Sequence, residues 1–168
     1  MNQSPISSEA PWKRKLALAS AQAQAADFAG VQNICAQMVH DHGDDPTALM
    51  DIGVLLLNVG FISSARHCFE RVMALRPDDL RAKLNLANCA REFGQHKLAN
   101  DLYSELQTQQ PDNPVVRRNI LVNQQYNPAA ADTERFTLAK SWGEWAIAQA
   151  GGSSARPSFR QLGQIATN

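Results

Sequence analysis

The sequence predicts an all-α fold: a right-handed α-solenoid of about three helix–turn–helix repeats, followed by an extra helix and a capping helix. The first observation behind this is a self-match at a period of 34 residues between Pro46 and Pro111. Gly60 returns as Gly94, Ala65 as Ala99, Phe69 as Tyr103 and Pro77 as Pro111. Each pair keeps one physical task. The glycine ends a helix, the alanine lets two helices approach, the aromatic fills the gap between them, and the proline stops the second helix. The second observation is the apolar stripe Ile52, Leu55, Leu56 and Val59, at i, i+3, i+4 and i+7. The third is composition: β-branched residues are sparse, while Ala, Leu and Gln, all good helix formers, are abundant.

Taken in order, residues 1–11 are rich in Ser and Pro and are expected to be disordered. From Trp12 the register fits a degenerate first repeat, 12–45. Leu18 and Ala19 stand for Ile52 and Gly53, Asp27-Phe28 marks the turn, and Val31, Cys35 and Met38 form the second helix's inner face. Gly43 ends that helix in place of proline. The second repeat, 46–79, begins at Pro46 with Asp45 or Thr47 as cap. It resumes after Gly60 with Ala65, Phe69, Val72, Met73 and Leu75, and Arg76 opposes the helix dipole. The third, 80–113, has a more polar first helix with Leu84, Leu86, Ala87 and Ala90, then Ala99, Leu102, Tyr103 and Leu106. A partial fourth starts at Pro114 and breaks at Leu121 and Asn127-Pro128, so the solenoid is placed at 12–127. The segment 128–150 is the capping helix, opening at Asp132 and anchored by Phe136, Trp142 and Trp145. Gly151-Gly152-Ser153-Ser154 begins a flexible tail, 151–168.

Lys+Arg and Asp+Glu both number 16, so no global charge draws the chain to nucleic acid or to an anionic membrane. No apolar run is long enough to span a bilayer. The stretch Lys13-Arg14-Lys15 with Leu16-Ala17-Leu18-Ala19 imitates a secretory signal, but its apolar run is too short and Gln22 and Gln24 interrupt it. Cys35, Cys68 and Cys89 are odd in number and lack Cys-x-x-Cys spacing, which predicts reduced thiols and a cytoplasmic protein.

The 34-residue period with its Gly, Ala, aromatic and Pro resembles the tetratricopeptide repeat, a helix–turn–helix unit that stacks into a solenoid and binds proteins. The break in that pattern carries a second resemblance. Arg118-Asn119-Ile120-Leu121, Tyr126, Pro128, Phe136 and Trp142-Gly143-Glu144 are similar to the junction that joins the repeats to the catalytic domain in proteins related to the O-linked N-acetylglucosamine transferase (Spindly-like proteins among them). That family typically shows an Asn-Leu-Leu start, a Tyr, a His-Pro-type turn, then Phe followed six residues later by Trp-Gly-Glu. The sequence departs from the family at Trp145, where a basic residue is usual, and after Ala150, where no glycosyltransferase strand is recognisable.

No nucleophile, acid–base pair, metal set or phosphate cradle emerges, so neither catalysis nor any cofactor is expected. His40, Asp41, His42, Asp44 and Asp45 crowd one turn, where acidic residues are read as helix caps rather than metal ligands. A groove is the expected working surface, lined by the first helix of each repeat. Its positions are Lys13, Leu16 and Ser20; Met50, Asp51 and Val54; Arg81, Leu84, Asn85 and Asn88; and Arg118, Asn119 and Val122. Asn85 and Asn119 are 34 residues apart, so their amides are expected to stack along one wall. The resemblance to the transferases implies that such an asparagine row holds extended peptide backbone. Asp51 and Ala17 interrupt the row in the earlier repeats. Leu16 and Met50 stand where a chaperone-type carboxylate clamp needs lysine, which disfavours that ligand.

The function expected from the sequence is a non-catalytic protein–protein interaction scaffold holding an extended peptide or partner protein, without nucleic acid or membrane as partners. The second reading is the substrate-recognition arm of a transferase-like enzyme whose catalytic domain lies outside this chain. The third is an assembly subunit that forms homo-oligomers through its terminal helices.

Overall fold

The computed structural model describes residues 10–152; residues 1–9 of the N-terminus expected to be disordered over 1–11, and 153–168 of the tail expected over 151–168, lie outside the described residues. Among the described residues every regular element is an α-helix. The chain divides into two units, one ending at Pro111 and the other starting at Asp112. This break precedes the partial fourth repeat, whereas the sequence placed the solenoid's end at 127.

The first unit holds three helical hairpins: α1 (Pro11–Gln24) with α2 (Phe28–Asp41), α3 (Pro46–Asn58) with α4 (Ile62–Leu75), and α5 (Leu80–Glu92) with α6 (His96–Gln109). Helix starts and stops repeat with the period. Asp45 accepts hydrogen bonds from the Thr47 and Ala48 amides, and Asp79 accepts from those of Arg81 and Ala82. At the far ends, Gly60 and Gly94 take φ of 89° and 71°. Each closes a Schellman turn, with the next residue's N–H donating back to Leu56 O and Ala90 O respectively. In the first hairpin the same turn is built on Ala26, at φ 58°, with Asp27 N–H donating to Gln22 O.

Three layers of the second helices fill the core in register: Val31, Ala65 and Ala99; Cys35, Phe69 and Tyr103; Met38, Val72 and Leu106. All nine are buried. Opposite Phe69, α3 presents Gly53, where an added Cβ would lie 2.6 Å from Phe69 Cε1. The first helices touch one another along the unit, α1 on α3 and α3 on α5. Their outward faces therefore form one continuous surface, which is the inner wall of a repeat stack.

The second unit is the pair α7 (Pro114–Tyr126) and α8 (Asp132–Gln149). Asn113 caps α7, accepting from Val115 and Val116 N–H, so the capping carboxylate or amide recurs at 45, 79 and 113. Arg135 clamps the turn: its Nε donates to Gln124 O, its Nη2 to Asn127 O and its Nη1 to Asp132. Gly151 and Gly152 end α8, with φ of 90° and 86° and Gly152 N–H donating to Ile147 O. These two glycines are the stop of α8.

Candidate functional site

The expected groove residues of α1, α3 and α5 fall in the first unit, and those of α7 in the second; α5 carries the most organised part. Tyr103, buried on α6, donates its hydroxyl to Asn88 Oδ1 at 2.8 Å. Asn88 Nδ2 donates to Asn85 Oδ1 at 3.5 Å, and Asn85 Nδ2 donates to the Met50 sulfur at 3.7 Å. The hydroxyl bond is short and well formed, and the two amide contacts are long. The chain therefore orients Asn88 firmly and Asn85 loosely, leaving Asn85 capacity to exchange partners. Burial raises the Tyr103 pKa to about 12, so the phenol remains a donor at neutral pH.

Around these amides, Arg81 is exposed, while Asp51, Val54 and Leu84 are half-buried. Lys13 is exposed and Leu16 half-buried on α1, where Ser20 donates its hydroxyl back to Leu16 O. Met50 is a correction: it is only 3% exposed, so it belongs to the core and meets the groove only through its sulfur.

On α7, Arg118 is exposed and Val122 half-buried, but Asn119 is 5% exposed. It shares the buried face of α7 with Val116, Ile120 and Asn123, the last fully buried. Asn119, expected from the sequence as a groove amide, is thus nearly closed to solvent. Asn123 follows it at i+4 on the same face and was not singled out from the sequence. Its polar type hid its burial.

The cap anchors separate into two faces. Trp145 donates its indole N–H to Asp112 at 3.2 Å and receives the Arg117 guanidinium over its ring at 5.0 Å. Trp142 is half-buried, with its indole nitrogen enclosed and unpartnered. Phe136 is 71% exposed and stands apart from both tryptophans. The reason is helix geometry: six residues carry Phe136 about 240° around the helix from Trp142, and nine carry it about 180° from Trp145.

The crowded turn after α2 borders a cavity of about 630 Å³ with His40, Asp41, His42, Asp44 and Asp45 on its wall. Its carboxylates are engaged: Asp41 pairs with Lys15 at 2.9 Å, Asp44 with Arg71 at 3.0 Å, and Asp45 caps α3. The Lys15 hydrogen bond and charge hold the Asp41 carboxyl below its usual range. Among the described residues no three His, Cys, Asp or Glu converge as a metal set. All three cysteines are free and buried, and burial raises their thiols to about 11 (Cys35), 12 (Cys68) and 11 (Cys89).

With this geometry in hand, comparison with known proteins identifies the repeat. Residues 50–114 match the tetratricopeptide repeat family. No curated protein matches the chain in sequence. Among solved structures, the chain resembles a mutant of the Thermobaculum terrenum O-GlcNAc transferase, with 22% identity, a TM-score of 0.60, and coverage of 79% of this chain and 25% of that one. It also resembles MamA of AMB-1, with 17% identity, a TM-score of 0.57, and coverage of 92% and 91%. MamA of MSR-1 is similar at 18% identity and a TM-score of 0.55, covering 94% and 97%. The chain thus spans only a quarter of the transferase's length. At these identities the likeness is one of fold.

Proposed function

We propose that this tetratricopeptide-repeat protein is a non-catalytic protein-interaction scaffold that holds an extended peptide along the inner wall formed by α1, α3 and α5. The observation that carries this reading is the chain Tyr103–Asn88–Asn85–Met50. It presents two half-buried amides beside exposed Arg81 and half-buried Asp51. An asparagine amide both donates and accepts, so it matches the alternating C=O and N–H of an extended backbone without selecting side chains. Arg81 is exposed and has no ion pair among the described residues, which favours acidic peptides and an affinity that falls with salt.

Peptide-library capture on the full chain tests this. Asn85 is only half-buried and its intrachain contacts are long, so Asn85→Ala should leave the melting curve nearly unchanged. It should weaken a captured peptide by about 2- to 12-fold, one net hydrogen bond's worth. Equal affinity of wild type and Asn85→Ala, at low and high salt, would remove the groove from consideration. The transferase-arm reading uses the same groove and adds a catalytic domain; its support is the Tyr126, Phe136 and Trp142-Gly143-Glu144 spacing.

A further inference from the structure

Helix α8 carries two faces, and among the described residues one is covered more fully than the other. Leu138, Trp142 and Trp145 lie on the more covered side. On the opposite side Thr133, Phe136, Lys140, Gly143, Ile147 and Ala150 follow one another at spacings of 3, 4, 3, 4 and 3. That is the alternation of a helix-pairing seam. No residue of α8 is fully buried, and Phe136 stands 71% exposed in the middle of this face. Gly143 is the odd member. Glycine is the poorest ordinary helix former, yet among the described residues a Cβ at Gly143 would meet nothing within 4 Å. On this face Thr133, Phe136, Lys140 and Ala150 are exposed and Gly143 and Ile147 half-buried, and a glycine midway between Phe136 and Ile147 suits the close approach of a second helix.

We infer that the outer face of α8 is a self-association surface, on which α8 of a second copy lies antiparallel across a twofold axis at the level of Ser141 and Trp142. This inference stands apart from the groove reading. The register selects the occupant. About that axis Thr133 meets Ala150, Phe136 meets Ile147 and Lys140 meets Gly143 of the second copy, each layer setting a larger side chain against a smaller one. The Lys140 stem covers the glycine, and its ammonium comes to the Glu144 carboxylate of the second copy, twice by symmetry. Within one chain Lys140 and Glu144 are exposed and only loosely paired at 3.9 Å, so both are free to exchange partners. The same face thus complements itself in shape and in charge. One helix pair about 27 Å long buries less than the roughly 1,200 Å² of a stable interface, so the dimer is weak and forms at high protein concentration.

Sedimentation equilibrium of the full chain, from roughly 5 µM to roughly 500 µM, should show the mean mass climbing from 18.4 kDa toward twice that value. Lys140→Glu, which sets two carboxylates against each other, should hold it at one chain over the whole range. Lys140→Glu combined with Glu144→Lys should restore the rise. Gly143→Lys blocks the seam while improving helix propensity, so loss of association with undiminished helix content separates interface from folding. In an equimolar mixture of Lys140→Cys and Gly143→Cys chains, oxidation should link unlike chains at least several-fold faster than like ones, with the buried native thiols bystanders. A mass of one chain at every concentration, association indifferent to the Lys140 and Gly143 variants, or preferential like–like linking would each overturn the inference.

Discussion

The hairpins α1–α2 and α3–α4 hold successive places in the repeat, and they differ where the period is densest in meaning. The α3–α4 hairpin has a capping aspartate at its start, a glycine at its left-handed turn and a buried phenylalanine between its helices. The α1–α2 hairpin has no side-chain cap at its start, an alanine forced to φ 58°, and Cys35 at the aromatic's place. Beside that smaller side chain, Cys35, Leu56 and Cys68 border an apolar cavity of about 450 Å³. The backbone is nonetheless the same. Stacking against α3 imposes the turn and helix directions that local residue preference has ceased to specify. The cost appears as strain and lost packing rather than as a changed fold, so the first hairpin should be the first to open.

Cutting the same core position in both hairpins sharpens this contrast most. Phe69 fills the α3–α4 gap at 0% exposure against Gly53. Phe69→Ala should therefore cost about 3–5 kcal/mol in urea melts. Cys35 already borders empty space, so Cys35→Ala should cost about 1 kcal/mol or less. Equal losses at the two positions would mean that the two hairpins are packed alike.

High pH acts on both hairpins at once. Burial raises Cys35, Cys68 and Cys89 from 9.0 to about 11, 12 and 11, and Tyr103 from 10.0 to about 12. Folded, all four hold their protons at a pH where the unfolded chain releases them. Stability is therefore fully present below pH 9 and declines as pH rises from about 9 towards 12. Each titrating group adds a slope of at most about 1.4 kcal/mol per pH unit. Urea midpoints at pH 7, 9 and 10.5 check the sign. With two of the thiols lining the cavity between the first two hairpins, Cys35→Ala should flatten part of the decline. A midpoint that stays level to pH 10.5 would show the thiols to be solvated.

Much of this was legible in the sequence because the period transmits backbone geometry: the Gly60 and Gly94 turns, the Asp45 cap, and the alternation of small and aromatic residues in the core. The period carries less about what lies over a given position. Asn85 and Asn119 share a register, yet one is half-buried and the other nearly closed, and Met50 was read as groove although it packs inward. The three aromatics of the capping helix differ for another reason. Their place on one terminal helix groups Phe136 with Trp142 and Trp145, where the helix's own 100° per residue sets Phe136 on another side. Tyr103 was recognised as core, but its hydroxyl's role in orienting Asn88 needs the distance, not the spacing.

The finest test of the comparison is a single turn residue. Subtracting 34 from Gly60 gives Ala26, and the structure places that alanine in the same left-handed conformation, at φ 58° against 89°. An L-residue there pays about 1–2 kcal/mol for the contact between its Cβ and the backbone. Glycine removes that contact but returns about 0.5–1 kcal/mol as extra freedom of the unfolded chain. The strain term is the larger, so Ala26→Gly should stabilise the protein by about 0.5–1 kcal/mol, a rise of roughly 1–4 °C in Tm. Gly60→Ala is its mirror: a Cβ there meets nothing within 4 Å, so the loss should be conformational alone and of similar size. Opposite signs at the two positions would show that both hairpins are held to one turn geometry by their neighbours. A destabilised Ala26→Gly would mean that the first turn relaxes away from φ 58° in solution, and that the first hairpin follows its own residues rather than the period.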